Sequence, residues 1–417
     1  MIPLIMEWYL GIIRVIQRWI DHPWELRLNV VVSYSYNWVM DVVVVHPSLN
    51  RCGGAERVCL AVVEALMECG YRVILATVDR TDWFMLEDRF GSVIRPSGEF
   101  YLYEHTSTQD ILLASCFISE LMYLKGCDAL IFNTYGDLLD SIADVCYVNA
   151  LPPYIAYRYD GYGDMGSTCW RVASIVHEAL SKIARSFGRS IVIANSRFMQ
   201  SILWMGLGVK STIVYPPVDV EMFRSAGGDR REDIVVTATR LRFGKRLEII
   251  PWIAREIGEA RFKILGVADK LSEPVIERLR DIIDGLGVGD RVELIVNQPY
   301  RRLVEEFSSA KIYLQTQPTE SFGISIVEAM AAGCIPLVPR CGGPWIDILG
   351  MRDGLYGLSY VDVSEAKEKI RCILRDEGVR TGMLNNIRRR VDMFSKIVFK
   401  RKIAKIVDTL YRYRCRG

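Results

Sequence analysis

Two glutamates, Glu320 and Glu328, stand eight positions apart in the stretch PTESFGISIVEAMAAGCIPLVPRCGGP of residues 318–344. The pattern around them predicts a strand, a short loop and a helix that begins near Ser321. Free amides at a helix start attract a phosphate, whereas a carboxylate accepts hydrogen bonds from sugar hydroxyls. The stretch therefore suits a sugar nucleotide, although Glu320 by itself could be a first-turn residue favoured by the helix dipole. The amides at this predicted helix start belong to Phe322, Gly323 and Ile324.

A second candidate turn is the glycine pair in HPSLNRCGGAERV, which begins at His46. Gly53 and Gly54 follow a predicted strand and precede a helix predicted to begin near Ala55. Glycines let a ligand approach the backbone closely, and the helix amides beyond them attract an anion. The alternative is a tight turn without a ligand.

A third turn, TRLRFGKRLEII, carries two cations. Arg240 ends a predicted strand, and Lys245 is predicted to start the following helix. An arginine and a lysine that converge on one strand end can hold a diphosphate, the first bidentately and the second as a point charge. A surface charge cluster is the alternative interpretation.

Other chemistries lack their patterns in this chain. The G-x-G-x-x-G spacing of dinucleotide sites is missing, which argues against a nicotinamide or flavin enzyme. There is no D-x-D motif and the four histidines show no ligand spacing, so we expect no metal and no cofactor. Of these histidines, His46 directly follows a predicted strand and could face a ligand cleft or make a local hydrogen bond.

The 417 residues carry a formal net charge of +2 and are 50% hydrophobic. This is the composition of a globular protein of two domains, and it gives no indication of a nucleic-acid partner. The eleven cysteines form no C-x-x-C pair. They are therefore expected to be mostly small core residues, with structural disulfides as the alternative.

From residue 41 the chain alternates short β-branched runs with helical patterns, which predicts parallel sheets with crossover helices. The segment YPPVDVEMFRSAGGDRRED has a linker composition and separates two such series. The expected fold class is α/β, with two doubly wound Rossmann-like domains that face each other across a cleft. The predicted domains are residues 40–222 and 223–395. The predicted strands are 42–45, 71–78, 129–133, 145–149, 190–195 and 211–217, then 233–241, 261–268, 291–297, 311–316 and 334–339.

The two ends of the chain have their own patterns. Residues 1–39 are apolar but carry Glu7, Arg14 and Arg18, so we interpret them as an interfacial helix or a misassigned start. Residues 396–417 are predicted to form a basic helix, either with a solvated face or with a membrane-surface patch. We expect a protein that is cytoplasmic or peripheral on the cytoplasmic face of a membrane.

The motifs together resemble a known family. Glu320 and Glu328 match the E-x7-E pattern of retaining GT-B glycosyltransferases of family 4, and Arg240 and Lys245 match its R-x4-K pair. The resemblance covers residues 41 to about 395. Within that family the stretches HPSLNRCGGAERV, VYPPVDVEMF, ESFGISIVEAMAAG and CGGPWIDIL are similar to dolichol-linked oligosaccharide α-1,2-mannosyltransferases.

The resemblance implies roles for individual residues. Arg240 and Lys245 would bind the donor diphosphate, Glu320 the transferred sugar and Glu328 the ribose. The donor site as a whole would comprise Gly53, Gly54, Arg240, Lys245, Glu320, Phe322, Gly323, Ile324 and Glu328, with Arg240, Lys245 and Glu320 as its catalytic members. The family usually has a histidine where CYVNALPP has Asn149, which can contact a sugar or acceptor but cannot take a proton. We interpret Asp347, in CGGPWIDIL, as structural or as a support for residues that contact the nucleotide.

The function implied by the resemblance is transfer of a hexose from a nucleotide sugar, in particular mannose from GDP-mannose, to a lipid-linked glycan. A UDP-sugar donor is the alternative within enzymes. From another class, a catalytically silent sugar-nucleotide-binding scaffold is the alternative, which Asn149 leaves open.

Overall fold

The computed structural model describes residues 41–104, 129–136, 143–149, 190–226, 232–269 and 272–414. The chain divides into two compact units. The first includes residues up to 195, 199–214 and the C-terminal segment from 399. The second comprises residues 196–198 and 215–398. Residues 1–39, predicted as an N-terminal extension, lie outside the described residues.

The first unit contains a seven-stranded sheet in the order β3-β2-β1-β4-β5-β6-β7. Every neighbouring pair is parallel. The central strand β1 is almost entirely valine and buried, as expected of a strand covered on both faces. Its strands are β1 (Asp41–Val45), β2 (Arg72–Asp79), β3 (Gly98–Tyr103), β4 (Leu130–Asn133), β5 (Val145–Val148), β6 (Ile191–Ala194) and β7 (Thr212–Ile213).

The described helices of this sheet are α1 (Gly54–Glu68), α2 (Trp83–Phe90) and α3 (Arg197–Leu207). The apolar face of α1 packs on β1, β2 and β4 in one continuous core. The helix start of α1 therefore lies directly after β1, at the carboxyl end of the sheet, where open α/β sheets bind ligands.

The second unit contains a six-stranded sheet in the order β10-β9-β8-β11-β12-β13, again parallel throughout. Its strands are β8 (Glu232–Arg240), β9 (Arg261–Val267), β10 (Val292–Val296), β11 (Ala310–Leu314), β12 (Ile335–Pro339) and β13 (Leu358–Tyr360). Its helices are α4 (Val220–Ala226), α5 (Ile249–Glu256), α6 (Glu273–Gly285), α7 (Tyr300–Ser309), α8 (Ile324–Ala332), α9 (Val363–Arg375) and α10 (Glu377–Val391), with a π-helical turn at Pro344–Ile348. The predicted pair of doubly wound Rossmann-like domains is confirmed.

The boundary between the units falls between Val214 and Tyr215, at the start of the predicted linker rather than at residue 222. The linker packs on the second unit, which is the physical reason for the difference. Tyr215 stacks on Phe322 with ring centroids 5.6 Å apart. Phe223 of α4 is fully buried and contacts the ring of Phe307.

The C-terminal helix α11 (Lys396–Arg414) belongs mostly to the first unit. Its residues Phe399, Ile403 and Val407 are buried in the same core as β1 and α1. Lys400 bonds to two glutamates of α1, 3.0 Å from Glu64 Oε1 and 2.6 Å from Glu68 Oε1. The last segment is therefore amphipathic, with one face in the core and its basic residues elsewhere.

Two strands were not predicted, β3 and β13. Both are edge strands of their sheets. β3 is only partly buried and β13 has three residues, so each gives a weaker pattern than a long buried strand. The predicted strand 211–217 is reduced to the two residues of β7, because Tyr215 turns to the second unit.

The described ranges contain no helix that is both long enough and apolar enough to cross a bilayer. The seven cysteines in these ranges are free thiols, and three of them are buried in the cores as small apolar residues. These three are Cys59, Cys146 and Cys334.

Candidate functional site

The carboxyl ends of the adjacent strands β8 and β11 bring the predicted donor residues together. Arg240 is the last residue of β8 and is half-buried. Lys245 follows in the next loop, and its Nζ lies 3.0 Å from Glu320 Oε2 in the loop after β11. The two side chains are only 24% and 19% exposed, so this ion pair is partly shielded from water. A cation and a carboxylate thus share one strand edge.

The loop that carries Lys245 is a turn and not the predicted helix start, because α5 begins only at Ile249. Gly244 and Arg246 on either side of Lys245 have φ values of 88° and 54°, which a helix cannot accommodate. The hydroxyl of Thr316 donates to the carbonyl of Lys245 and ties this turn to the end of β11. The turn holds the ammonium group over the strand edge.

Glu320 is ionised at neutral pH. Burial raises its pKa, but the Lys245 ammonium and the backbone amides of Phe322 and Ser321 more than offset this and hold the pKa below that of an ordinary glutamate. The carboxylate can therefore accept hydrogen bonds from hydroxyls or stabilise positive charge. It does not supply a proton.

The helix after this loop begins later than predicted, at Ile324 rather than near Ser321. Gly323 precedes it in the left-handed conformation, with φ 96° and ψ 71°, so the chain turns sharply before the first helical residue. The amide of Phe322 donates to Glu320, and the Phe322 ring is buried against Tyr215 and Phe394. Phe322 is thus a support of the loop, and Ile324 is the first residue of the helix.

Glu328 lies in the second turn of α8 and is 1% exposed. The hydroxyl of Tyr300, the first residue of α7, donates to its Oε1 at 2.7 Å. Sequence reasoning did not identify Tyr300. The sequence does place Tyr300 shortly after a strand end, in the stretch NQPYRR that follows β10, and this position could have indicated it.

A glycine pair after β12, Gly342 and Gly343, packs against the loop that carries Glu320. The amide of Gly343 donates to the carbonyl of Glu320 at 2.9 Å. A Cβ at Gly343 would lie 2.0 Å from the carbonyl oxygen of Ser321, so only glycine allows this approach of two backbone segments. Gln317, which contacts the ammonium of Lys245, is a second neighbour that sequence reasoning missed.

Asp347 has the structural role that was predicted for it. Its carboxylate accepts hydrogen bonds from the amides of Arg197 and Phe198, at 2.7 and 3.2 Å. The side chain is fully buried, and burial raises the pKa of this carboxyl. Arg390 donates to the carbonyls of Asp347 and Ile348 and so fixes the π-helical turn.

In the first unit, the glycine turn is fixed by a glutamate. The amide of Gly53 donates to Glu56 Oε2 at 2.8 Å, and α1 begins at Gly54, one residue before the predicted start. Glu56 is buried, and its other oxygen lies 3.7 Å from Nε2 of His46. His46 is fully buried and bonded to Thr134 through Nδ1, so it makes the predicted local hydrogen bond. A contact of His46 with a ligand stays a prediction.

Asn149 follows β5 and makes a local backbone contact. Its amide nitrogen donates to the carbonyl of Thr134, and its own carbonyl accepts from Asn195 Nδ2 at 2.8 Å. Asn149 therefore joins the ends of β4, β5 and β6. A contact of Asn149 with a sugar stays a prediction.

The sequence profile of the family described as Glycosyl transferases group 1 matches residues 221–390, which contain Arg240, Lys245, Glu320 and Glu328. The chain is similar to this family over these residues. It is accordingly an enzyme, a hexosyltransferase, of GT-B fold. The matched range coincides closely with the second unit. This unit holds all the predicted donor residues apart from Gly53 and Gly54, which lie at the start of α1.

Two curated relatives of this glycosyltransferase carry the name GDP-Man:Man(3)GlcNAc(2)-PP-Dol alpha-1,2-mannosyltransferase. The Homo sapiens protein is 29% identical over 93% of this chain and 92% of its own length. The Caenorhabditis elegans protein is 24% identical over 80% of this chain and 83% of its own length. Among solved structures, sucrose-phosphate synthase from Thermosynechococcus elongatus has a TM-score of 0.72 at 16% identity, covering 90% of this chain and 100% of its own. This last similarity shows the fold.

Within the described ranges of this glycosyltransferase, no group of three or more histidine, cysteine, aspartate or glutamate side chains is arranged to hold a metal ion. The expectation that transfer needs no metal and no cofactor stays a prediction.

Proposed function

We propose that this glycosyltransferase transfers mannose from GDP-mannose to a lipid-linked glycan, with retention of configuration at the anomeric carbon. The observation that carries the proposal is the Lys245–Glu320 pair at the end of β8 and β11, with Glu328 two turns further along the same chain segment. The relatives named for GDP-mannose and a dolichol-linked acceptor support the choice of donor and acceptor.

On the donor side, Lys245 and Arg240 bind the diphosphate. When the diphosphate binds, its negative charge competes with Glu320 for the ammonium of Lys245. Glu320 is then released to accept hydrogen bonds from the transferred sugar, while its charge faces the anomeric centre. The backbone amides of Phe322 and Ser321 still donate to the carboxylate of Glu320 during this exchange, and these hydrogen bonds favour its ionised form.

In the transfer step, the bond between the anomeric carbon and the diphosphate oxygen breaks, and its electron pair goes to that oxygen. The acceptor hydroxyl forms the new bond to the same face of the sugar, and its proton goes to the departing diphosphate. No protein base is required, which agrees with the presence of Asn149 in place of a histidine. Arg240 and Lys245 stabilise the charge that develops on the leaving group.

The acceptor side is proposed at the carboxyl edge of the first unit's sheet. Within the described ranges, four buried polar atoms without a hydrogen-bond partner lie at the end of β2 and in the loops after β1 and β2. An unsatisfied buried polar atom costs about 1–3 kcal/mol, so such atoms are uncommon unless a ligand completes them. The four are His46 Nε2, Arg51 Nη2, Asp79 Oδ1 and Thr81 Oγ1. Donors and acceptors together suit a phosphorylated sugar.

Replacing Arg51 by alanine is expected to raise the KM for the acceptor by about tenfold and leave the KM for the donor unchanged. The reason is that the Arg51 guanidinium would bind the acceptor and makes no hydrogen bond through Nη2 in its absence. Initial rates with a polyprenyl-diphosphate-linked glycan measure both constants. Equal changes in the two KM values would indicate a structural role and contradict the acceptor assignment.

The donor base is tested by thermal shift with GDP-mannose, UDP-glucose, UDP-N-acetylglucosamine and an ADP-sugar. Binding at 100 times the Kd stabilises a protein by about 2.7 kcal/mol, so the true donor raises the Tm clearly above the others. We expect that donor to be GDP-mannose. Stabilisation by a UDP-sugar and not by GDP-mannose would overturn the mannose assignment. Binding without transfer to any lipid-linked acceptor would instead indicate a silent scaffold.

For location, we propose a peripheral protein on the cytoplasmic face of a membrane. The support is the exposed basic side of α11, where Arg401, Lys402 and Lys405 lie opposite the residues packed in the core. A basic helix face of this kind attracts anionic lipid headgroups.

A further inference from the structure

Glu328, the proposed ribose ligand, is a buried carboxylate whose orientation is set by a second side chain. It is 1% exposed, and one of its oxygens accepts a hydrogen bond from the hydroxyl of Tyr300 at 2.7 Å. A carboxylate removed from water is costly unless its oxygens are bonded. A tyrosine hydroxyl that donates to one oxygen also determines which way the other oxygen points.

Tyr300 is itself held in place. Its ring packs edge-on against Phe223, with ring centroids 5.7 Å apart and an interplanar angle of 89°. Phe223 lies on α4 and is fully buried against Phe307 as well. Tyr300 is half-buried, and this ring contact together with the hydrogen bond to Glu328 favours one position of its hydroxyl.

From this we infer that Tyr300 is a positioning residue: it orients Glu328 so that the carboxylate receives the ribose hydroxyls of the donor nucleotide. The inference rests on the proposed function, because it needs Glu328 to face a ribose. Phe223 supports the ring of Tyr300, so the segment VEMF of α4 contributes to donor recognition although it lies in the predicted linker.

A placeholder role is the opposite alternative, in which the Tyr300 hydroxyl occupies the position of a ribose hydroxyl and must leave before the donor binds. The two roles differ in the sign of one effect. Loss of the hydroxyl weakens nucleotide binding if Tyr300 orients Glu328, and strengthens it if Tyr300 competes with the ribose. The edge-on packing against Phe223 favours orientation.

The test is the affinity of the full chain for GDP and for 2′,3′-dideoxy-GDP, measured by calorimetry for wild type, Tyr300→Phe, Glu328→Ala and the double variant. We expect Tyr300→Phe to weaken GDP binding by about tenfold and to leave dideoxy-GDP binding unchanged. In the Glu328→Ala background, the same substitution should have no further effect on GDP, because the group it orients is gone.

The matched control is Tyr360→Phe, which removes the hydroxyl of a buried tyrosine of the same unit that donates to the carbonyl of Gln315 at 2.6 Å. It should leave the ratio of the two affinities at the wild-type value. Equal weakening of GDP and dideoxy-GDP by Tyr300→Phe, or tighter binding of GDP, would overturn the inference alone. If wild type did not bind GDP, the proposed function would fail together with it.

Discussion

Replacing Lys245 by methionine is expected to lower the rate of sugar transfer by about 10²–10³-fold. Methionine keeps most of the aliphatic stem and removes the charge that we assign to the leaving diphosphate. The ammonium of Lys245 lies 3.0 Å from Glu320 Oε2, so the substitution also leaves that carboxylate without its cation. Steady-state rates with saturating donor and acceptor measure the effect on kcat.

The same variant has a defined pH dependence of stability. Lys245 helps to lower the pKa of Glu320 in the folded protein, so the pair stabilises the fold above the pKa of the unfolded state. This contribution is lost as the pH falls through the folded pKa. The difference in stability between wild type and Lys245→Met should therefore be present at neutral pH and disappear in acid.

Lys311→Met is the matched control for Lys245→Met. Lys311 pairs with Asp233 at 2.7 Å and joins the same two strands, β8 and β11, at their amino ends, away from the proposed site. Its loss should cost at most about 1 kcal/mol of stability and leave transfer unchanged. A wild-type kcat in Lys245→Met would show that the pair lies outside the diphosphate site.

Gly343→Ala is expected to have the second large effect, on both stability and donor binding. The backbone of Gly343, with φ −60° and ψ −39°, is open to any residue, so strain in φ plays no part. The added Cβ would instead lie 2.0 Å from the carbonyl oxygen and 2.6 Å from the carbonyl carbon of Ser321. These are backbone atoms, so the loop that carries Glu320 has to move.

We expect this movement to destabilise the second unit by about 3 kcal/mol. Thermal unfolding should then show a Tm lower by roughly 6–12 °C. Donor affinity should fall as well, since the hydrogen bond from the Gly343 amide to the Glu320 carbonyl is stretched or lost. Thermal unfolding and donor titration of one preparation measure both effects.

Gly382→Ala serves as the control. Gly382 lies inside α10, and a Cβ there meets nothing within 4 Å. Alanine should stabilise this helix by about 0.5–1 kcal/mol. A Tm for Gly343→Ala equal to that of wild type would contradict the close approach on which the prediction rests.

Much of the fold could be predicted from local pattern. The runs VVVV, ALIFN and CIPLVP are uninterrupted because β1, β4 and β12 are covered on both faces, and a run of this kind is visible in the sequence alone. Their alternation with helical patterns was sufficient to predict two parallel sheets. The strands β3 and β13 were not predicted, because each lies at the edge of its sheet, with a strand neighbour on one side only, and has a weaker pattern.

The residue types of the site were also visible in the sequence, but several of their positions were not. Lys245 and Glu320 are 75 positions apart, and they meet only because the crossover connections place β8 beside β11. Helix α8 begins at Ile324 rather than at the predicted Ser321, because Gly323 takes a left-handed conformation next to the buried Phe322. The periodicity of the sequence does not indicate this conformation.

The sequence by itself determined the fold class, the resemblance to a family and the chemical types at the donor site, since all three depend on short patterns of neighbouring residues. Only the tertiary structure decided that Tyr300 bonds Glu328, that Gly343 supports Glu320, and that α11 returns to the core of the first unit. The physical reason is the same in each case. These contacts join segments far apart in the chain, and packing, rather than local propensity, selects which segments meet.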